Sequence, residues 1–167
     1  MLKEDIEHAN RFFTTSVSLL TTASKGKRNV MACEWTFNVS YNPFYIAVLV
    51  NPKHYTYDLL KESSEFGVNL CSTDQAGLSH FVGNISGKTV DKFKKFNIKT
   101  MPSKFIAPPL IKGSVLSAEC KVVKCIKLGD HVMFVGQVLR ALVDDEKKPF
   151  AMHLGKLHHL GKRVAKK

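Results

Sequence analysis

Lys53, His54 and Thr56 stand together in Asn51-Pro52-Lys53-His54-Tyr55-Thr56, which offers a cation, an imidazole and a hydroxyl within four residues. Asn51-Pro52 marks a turn, and NPKHYTYDLLKES then reads as a short helix with Leu59 and Leu60 facing inward. These polar side chains therefore gather at a helix N-terminus, where unpaired backbone N–H groups and the positive end of the dipole favour an anion such as phosphate. A second cationic loop, Gly83-Asn84-Ile85-Ser86-Gly87-Lys88, has two glycines that permit close backbone approach, the Ser86 hydroxyl, and Lys88 one helical turn from Lys92. It is not a Walker loop, because Val82 stands where the first glycine of GxxxxGK[ST] would be. GxGxxG is also absent, which removes a Rossmann dinucleotide half-domain.

A strand is needed to complete such a site, and NVMACEWTFNVS, residues 29–40, alternates with a period of two. Met31, Cys33, Trp35, Phe37 and Val39 form an expected core face. Ala32, Glu34, Thr36, Asn38 and Ser40 form a small polar face with one charge, over which something flat could approach the backbone and bond to its N–H and C=O groups. A planar cofactor fits that description, and so does a plain solvent-facing strand.

The elements around these stretches are mostly strands. Residues 3–13 suit a short amphipathic helix with Ile6, Ala9 and Phe13 on one stripe. SVSLLTT and NVMACEWTFNVS read as strands joined by ASKGKRN; Asn42-Pro43 breaks the chain before the buried-type run FYIAVLV. EFGVNLCS is a further strand, DQAGLSHFVGN a helix that Asp74 could cap, GNISGKTVDKFKKFN a loop opening into a short helix, and APPLIKG a proline-marked connection. Residues 114–150 form a long hairpin turning at Leu128-Gly129-Asp130, with a bulge expected at Val122-Val123 where the alternation slips. Six or seven mainly antiparallel strands without a βαβ rhythm predict a closed or nearly closed barrel, because closure removes exposed edges.

The 167 residues, 44% of them hydrophobic, suffice for one domain with a sizeable core. No run approaches a membrane span, and the charged, amphipathic start is unlike a signal peptide, so a soluble cytoplasmic protein is expected. Cys33, Cys71, Cys120 and Cys125 lie in apolar runs without a CxxC pair and are expected to be buried thiols. His153, His158 and His159 lack a matching cysteine or carboxylate cluster, so no metal site is expected, and no GxSxG nucleophile motif occurs. Lysine and arginine number 25 against 14 aspartates and glutamates, a net charge of +11, which favours an anionic partner without choosing among phosphate-bearing cofactor, nucleic acid and membrane surface. A nucleic-acid-binding barrel would need aromatics interleaved with cations on its strands; Phe44, Tyr45 and Phe134 sit in runs too apolar for that, so nucleic acid is a remote alternative.

An ordered series of short motifs resembles the flavin reductase-like FMN-binding split barrels, the flavoredoxin-type members most of all. The series is Asn29-Val-Met31 with Trp35, Val39-Ser40, Pro43, Lys53-His-Tyr-Thr56, Glu65-Phe-Gly-Val-Asn69, Ser86-Gly87, Asp91-Lys92-Phe93, Glu119-Cys120, and Gly129-Asp130-His131 with Gly136. The resemblance spans about residues 12–160 of a single domain, leaving a basic tail at 161–167. It implies a mainly β, antiparallel, Greek-key-like split barrel with short helices in the connections, assembled as a homodimer with FMN near the subunit interface. Met31, Ala32, Cys33, Glu34 and Trp35 would line the isoalloxazine. Lys53, His54, Tyr55 and Thr56 would meet the ribityl phosphate, with Ser86, Lys88 and Lys92 closing around it.

The implied reaction is hydride transfer from NADH or NADPH to flavin N5, chemistry the cofactor carries while the protein positions the donor. His131 is the candidate for contacting the nicotinamide or guiding protons; the plainer reading is a turn histidine held by Asp130. A bound-FMN electron carrier without NAD(P)H activity is the alternative, and either would hand electrons to a partner oxygenase or another acceptor protein. Two departures stand out. Glu34-Trp35 replaces the Ser-Trp of many members, and because an inward carboxylate would disfavour an anionic reduced flavin, Glu34 is expected to point away. The family's C-terminal Gly-x-Tyr is replaced by Gly155-Lys-Leu-His-His-Leu-Gly161, so the role of that tyrosine does not carry over.

Overall fold

A computed structural model describes residues 4–162. The first half of the chain forms β1 (Thr15–Ser16), β2 (Ser18–Ser24), β3 (Lys27–Cys33), β4 (Thr36–Tyr41), β5 (Phe44–Val50), α1 (Tyr55–Ser63), β6 (Glu65–Leu70) and α2 (Ala76–Gly83). The second half forms α3 (Lys92–Lys95), β7 (Thr100–Met101), β8 (Leu110–Ile111), β9 (Leu116–Leu128), β10 (His131–Val143), β11 (Phe150–His153) and β12 (Lys156–His159). No helix among the described residues is long and apolar enough to cross a membrane.

Seven strands make one antiparallel sheet in the order β3-β2-β6-β9-β10-β5-β4. Its two outer strands, β3 and β4, are consecutive in the chain, so the sheet must curl until its ends meet at Cys33–Thr36. Hydrogen bonds tie that corner: Leu49 N donates to Trp35 O at 3.0 Å, Ser18 Oγ donates to Cys33 O at 3.2 Å, and the Ser18 and Thr36 hydroxyls lie 2.7 Å apart. Buried Leu20, Val48, Leu60, Phe66, Cys120 and Phe134 fill the barrel. A second cluster, including Val17, Val30, Val82, Phe93 and Phe150, seats α2 and α3 against the outside of β3. The expected barrel is therefore present, mainly β and antiparallel with short helices between strands.

The bulge falls where the alternation slips: Val122 pairs with Gly136 and Lys124 with Val135, leaving Val123 unpaired. Gly136 is obligatory on the inner wall, since a Cβ there would lie 2.9 Å from Cys120 Cβ and overlap the Phe66 ring.

Four expectations are corrected. Residues 29–40 are two strands meeting at the Glu34-Trp35 corner, and Phe37 (44% exposed) and Val39 (52%) are exposed: on β4 it is Thr36 and Asn38 that pair with buried Val48 and Ile46, and Val39 is left unpaired in a bulge. The N-terminal helix shortens to one 3-10 turn, Ala9–Phe12, with Ile6 and Phe13 exposed because nothing packs over them; Lys3 lies outside the described residues, as do residues 163–167 of the basic tail. Asp74 does not cap α2: Gln75 Oε1 accepts the Ser72 N–H at 3.1 Å ahead of the helix, and Asp74 instead pairs with Lys147 at 2.7 Å. Cys33, Cys71 and Cys120 are buried, but Cys125 is exposed where the β9–β10 hairpin runs past the barrel.

Candidate functional site

The chain reaches β5's end at Val50 and turns directly into α1, which fixes Lys53–Thr56 at the barrel mouth. Asn51 organises the turn, its Oδ1 accepting from Lys53 N at 3.0 Å and its main-chain carbonyl from His54 N at 3.0 Å. His54 occupies the N-cap position without capping through its side chain, so the N–H groups of Tyr55 and Thr56 have no acceptor among the described residues. They open onto a cavity of about 560 Å³ whose walls include Asn29, Met31, Ala32 and Glu34 of the β3 segment, Lys53–Thr56, Ser79, His80 and Val82 of α2, the Gly83–Gly87 loop, and Lys92.

Lys92 is buried beneath this cavity, its ammonium donating to Val30 O at 2.8 Å and Val82 O at 2.7 Å. Burial pulls it down to about 8 from the usual lysine range. The ammonium thereby joins α3, α2 and β3, the three elements that wall this side. His54 is also held below the ordinary histidine range, chiefly by burial, then by the charges of His131 and Lys92.

A second cavity of about 300 Å³ adjoins the first, and Met31, Ala32, Glu34, His54, Met152 and Gly155 line both. Its other walls are Asn10, Arg11, Phe13 and Thr15, the Cys33-Glu34-Trp35 corner, and His131. His131 is held on two sides: Nδ1 lies 2.8 Å from Asp130 Oδ1, and its ring centroid is 4.6 Å from that of Trp35. Burial pushes the Cys33 thiol up, so it stands here as a small apolar group, not a nucleophile.

The sequence-derived set thus divides between the cavities. Met31, Ala32, Glu34, Lys53, His54, Tyr55, Thr56, Ser86 and Lys92 line the larger; Cys33, Trp35 and His131 line only the smaller. Glu34 lines both cavities from the corner where β3 has ended. Lys88 leaves the larger cavity's wall: its Nζ is 3.5 Å from Asp58 Oδ2 on α1, a nearer countercharge. Lys92 is present but spends two of its three donors on main-chain carbonyls.

Sequence reasoning missed the wall formed by β11 and β12. Leu154 and Gly155 take positive φ angles of 50° and 73° in the hairpin turn between them. Leu154 N donates to Arg11 O at 3.1 Å, which brings the N-terminal segment and this hairpin to the mouth together. The only sequence signal was the glycine in His153-Leu154-Gly155. Asn29 was within a quoted motif but had no role assigned.

A curled antiparallel barrel with a cofactor-sized cavity ending at a bare helix N-terminus defines a small-ligand-binding β-barrel protein. The "Flavin reductase like domain" family matches residues 10–161, and the chain belongs to that family. A protein of Archaeoglobus fulgidus is 33% identical over 122 residues, covering 73% of this chain and 69% of its own. A ferric-chelate reductase (NAD(P)H) of the same organism is 29% identical over 126 residues, covering 75% and 73%. The solved flavoredoxin of Methanosarcina acetivorans is 27% identical, with a TM-score of 0.85 over 98% of this chain and 95% of that one.

Proposed function

We propose that this protein is an NAD(P)H-dependent flavin reductase that holds FMN in the larger cavity and admits the nicotinamide through the smaller one. The supporting observation is that the two cavities share Met31, Ala32, Glu34, His54, Met152 and Gly155, while Lys53, Tyr55 and Thr56 at the start of α1 line only the larger. The residues fit the group. The volume lies within the roughly 300–1,000 Å³ of small-molecule sites, the bare N–H groups of Tyr55 and Thr56 and the Lys53 ammonium suit a phosphate, and Ala32 leaves the β3 backbone approachable.

When bound, a flavin supplies the hydride-accepting chemistry itself. Lys53 and the α1 terminus would hold the phosphate. Met31, Ala32 and Glu34 would border the ring, and Glu34, at the junction, would favour a protonated over an anionic reduced ring beside it. Trp35 and His131 would flank the donor, with Asp130 keeping His131 oriented and Nδ1 engaged. His54, held below the usual histidine range, is neutral near pH 7 and would serve as a proton acceptor or donor bordering both cavities.

A homodimer is part of this reading, and the protein would act as one domain. Support comes from β4, the end strand, whose Phe37 and Val39 stand exposed close to Trp35 in the chain, with Tyr41 (89% exposed) beyond the bulge at Val39. Light scattering should give a dimer mass; a monomer would remove this part. The final acceptor would be a partner oxygenase or another electron-accepting protein.

Anaerobic NADH or NADPH added to protein loaded with FMN or FAD and desalted is the test. Retained flavin absorption that bleaches supports the reductase. Retention without bleaching supports the bound-flavin carrier, the reading favoured by similarity to the flavoredoxin structure. Neither retention nor turnover with free flavin overturns both.

A further inference from the structure

Asn29 is 3% exposed at the end of the larger cavity nearest α1. Its Nδ2 donates to Thr56 Oγ1 at 2.9 Å, while its Oδ1 is buried without any hydrogen-bond partner. That orphan abuts Gly87, where a Cβ would overlap the amide, so only glycine lets the second cationic loop come down onto Asn29. One side chain on β3 thus touches both α1 and the Gly83–Gly87 loop.

The hydroxyl of Thr56, itself 1% exposed, already accepts from Asn29 and has no acceptor of its own among the described residues. Its proton is therefore free for the cavity it lines. Exchanging the amide's O and N would reverse this, since Thr56 would then donate to Asn29 and present only lone pairs to a ligand. With Nδ2 facing Thr56 the arrangement suits an acceptor-only group, and a phosphate monoester dianion is one; a ligand end carrying a hydroxyl donor suits either arrangement.

Resting on the flavin reading, we propose that Asn29 is a positioning residue that selects phosphate-bearing flavin over its unphosphorylated form by aiming the Thr56 hydroxyl proton at the phosphate. The cost of the buried orphan acceptor is offset when that proton reaches a charged acceptor, a stronger bond than a neutral one.

The test is a double-mutant cycle of Asn29→Ala and Thr56→Val, reading FMN and riboflavin affinities by flavin fluorescence quenching, with thermal melts to establish folding. Asn29→Ala should weaken FMN about tenfold and riboflavin less than twofold, and should cost little more once Thr56 is Val. Asn29→Asp, nearly isosteric, accepts the Thr56 proton and adds a like charge, so it should weaken FMN further and still spare riboflavin; it also serves if the alanine variant fails to fold. Equal losses for the two flavins, or additive losses in the cycle, overturn the proposal and leave the flavin site standing. Wild-type protein that binds riboflavin as tightly as FMN also overturns it, whereas wild type binding neither overturns the flavin reading itself.

Discussion

The two adjoining cavities are built from different kinds of residue. At the larger, the polar groups are sunk and tied: Asn29, Thr56 and Lys92 are at most 4% exposed, and each is hydrogen-bonded to another element of the wall. At the smaller, the walls are rings and chains in contact with water, Phe13 at 74% and Trp35 at 37% exposed, with His131 fixed by one exposed carboxylate. Buried polar groups tied across neighbouring elements hold a geometry before any ligand arrives, and pre-organisation of this kind raises affinity by lowering the ordering cost. Exposed rings suit a ligand that enters and leaves. The contrast fits a resident cofactor beside an exchanging donor, and it can be broken from either side.

The largest effect is expected at Lys53, which lines only the larger cavity. Lys53→Glu removes a charge-assisted contact worth about 1.5–3 kcal/mol and substitutes repulsion, so FMN affinity should fall at least about 30-fold. Dinucleotide affinity measured on flavin-loaded protein should change less than threefold. Comparable losses for both ligands would show that the cavities do not divide the work.

Lys92 gives an intermediate, pH-dependent effect with two opposite signs. With its value lowered to about 8 in the fold, the ammonium has lost its proton in half of the molecules at that pH. A phosphate ligand favours the charged form, so FMN affinity should be level below about pH 7, fall about twofold by about pH 8 and then decline further, at most about tenfold per pH unit. Stability should move the other way. Between about 8 and the ordinary lysine value of about 10.4 the unfolded chain binds more protons than the fold, so this group's contribution rises with pH. Lys92→Met should abolish both slopes, read by flavin titration and by urea denaturation across pH 7–10. An unchanged affinity slope in that variant would assign it to another group.

Legibility in the sequence followed the same division. Lys53–Thr56 was readable because the turn, the helix start and the cationic residues are contiguous, and Gly87 because a glycine announces close approach. The hairpin bulge was readable because a slipped alternation is itself the signal, and the barrel because seven strands with short connections have few ways to cover their edges. The β3–β4 corner was not. A strand pattern records which side a residue faces while the chain stays in one sheet, and the corner at Glu34-Trp35 changes the frame without interrupting the alternation. Phe37 and Val39 were thus placed in the core. Arg11, Met152 and Gly155 were invisible for another reason: they reach the mouth through the pairing of β1 with β11, across more than a hundred residues. Lys92's ammonium was assigned to a ligand because nothing in a sequence shows that two backbone carbonyls lie within its reach.

The smallest effect tests the water-exposed side. Asp130 is 82% exposed at its side chain, and its hydrogen bond with His131 holds its carboxyl below the usual carboxylate range. Solvent screens an ion pair of this kind, so its electrostatic worth is slight and its contribution here is orientation. Asp130→Asn keeps a hydrogen-bonding oxygen within reach of Nδ1 and should lower kcat/KM for the nicotinamide less than about threefold, with flavin retention unchanged. Trp35 is the better lever on the same imidazole, because its large ring lies against His131, tilted by 47° at 4.6 Å between centroids. Trp35→Ala should therefore cost more than Asp130→Asn in kcat/KM, again without loss of flavin. If Asp130→Asn proved the more damaging, His131 would be set by its carboxylate rather than by stacking. The smaller cavity would then depend on a tied polar group as the larger one does, and the contrast between the two would narrow to exposure alone.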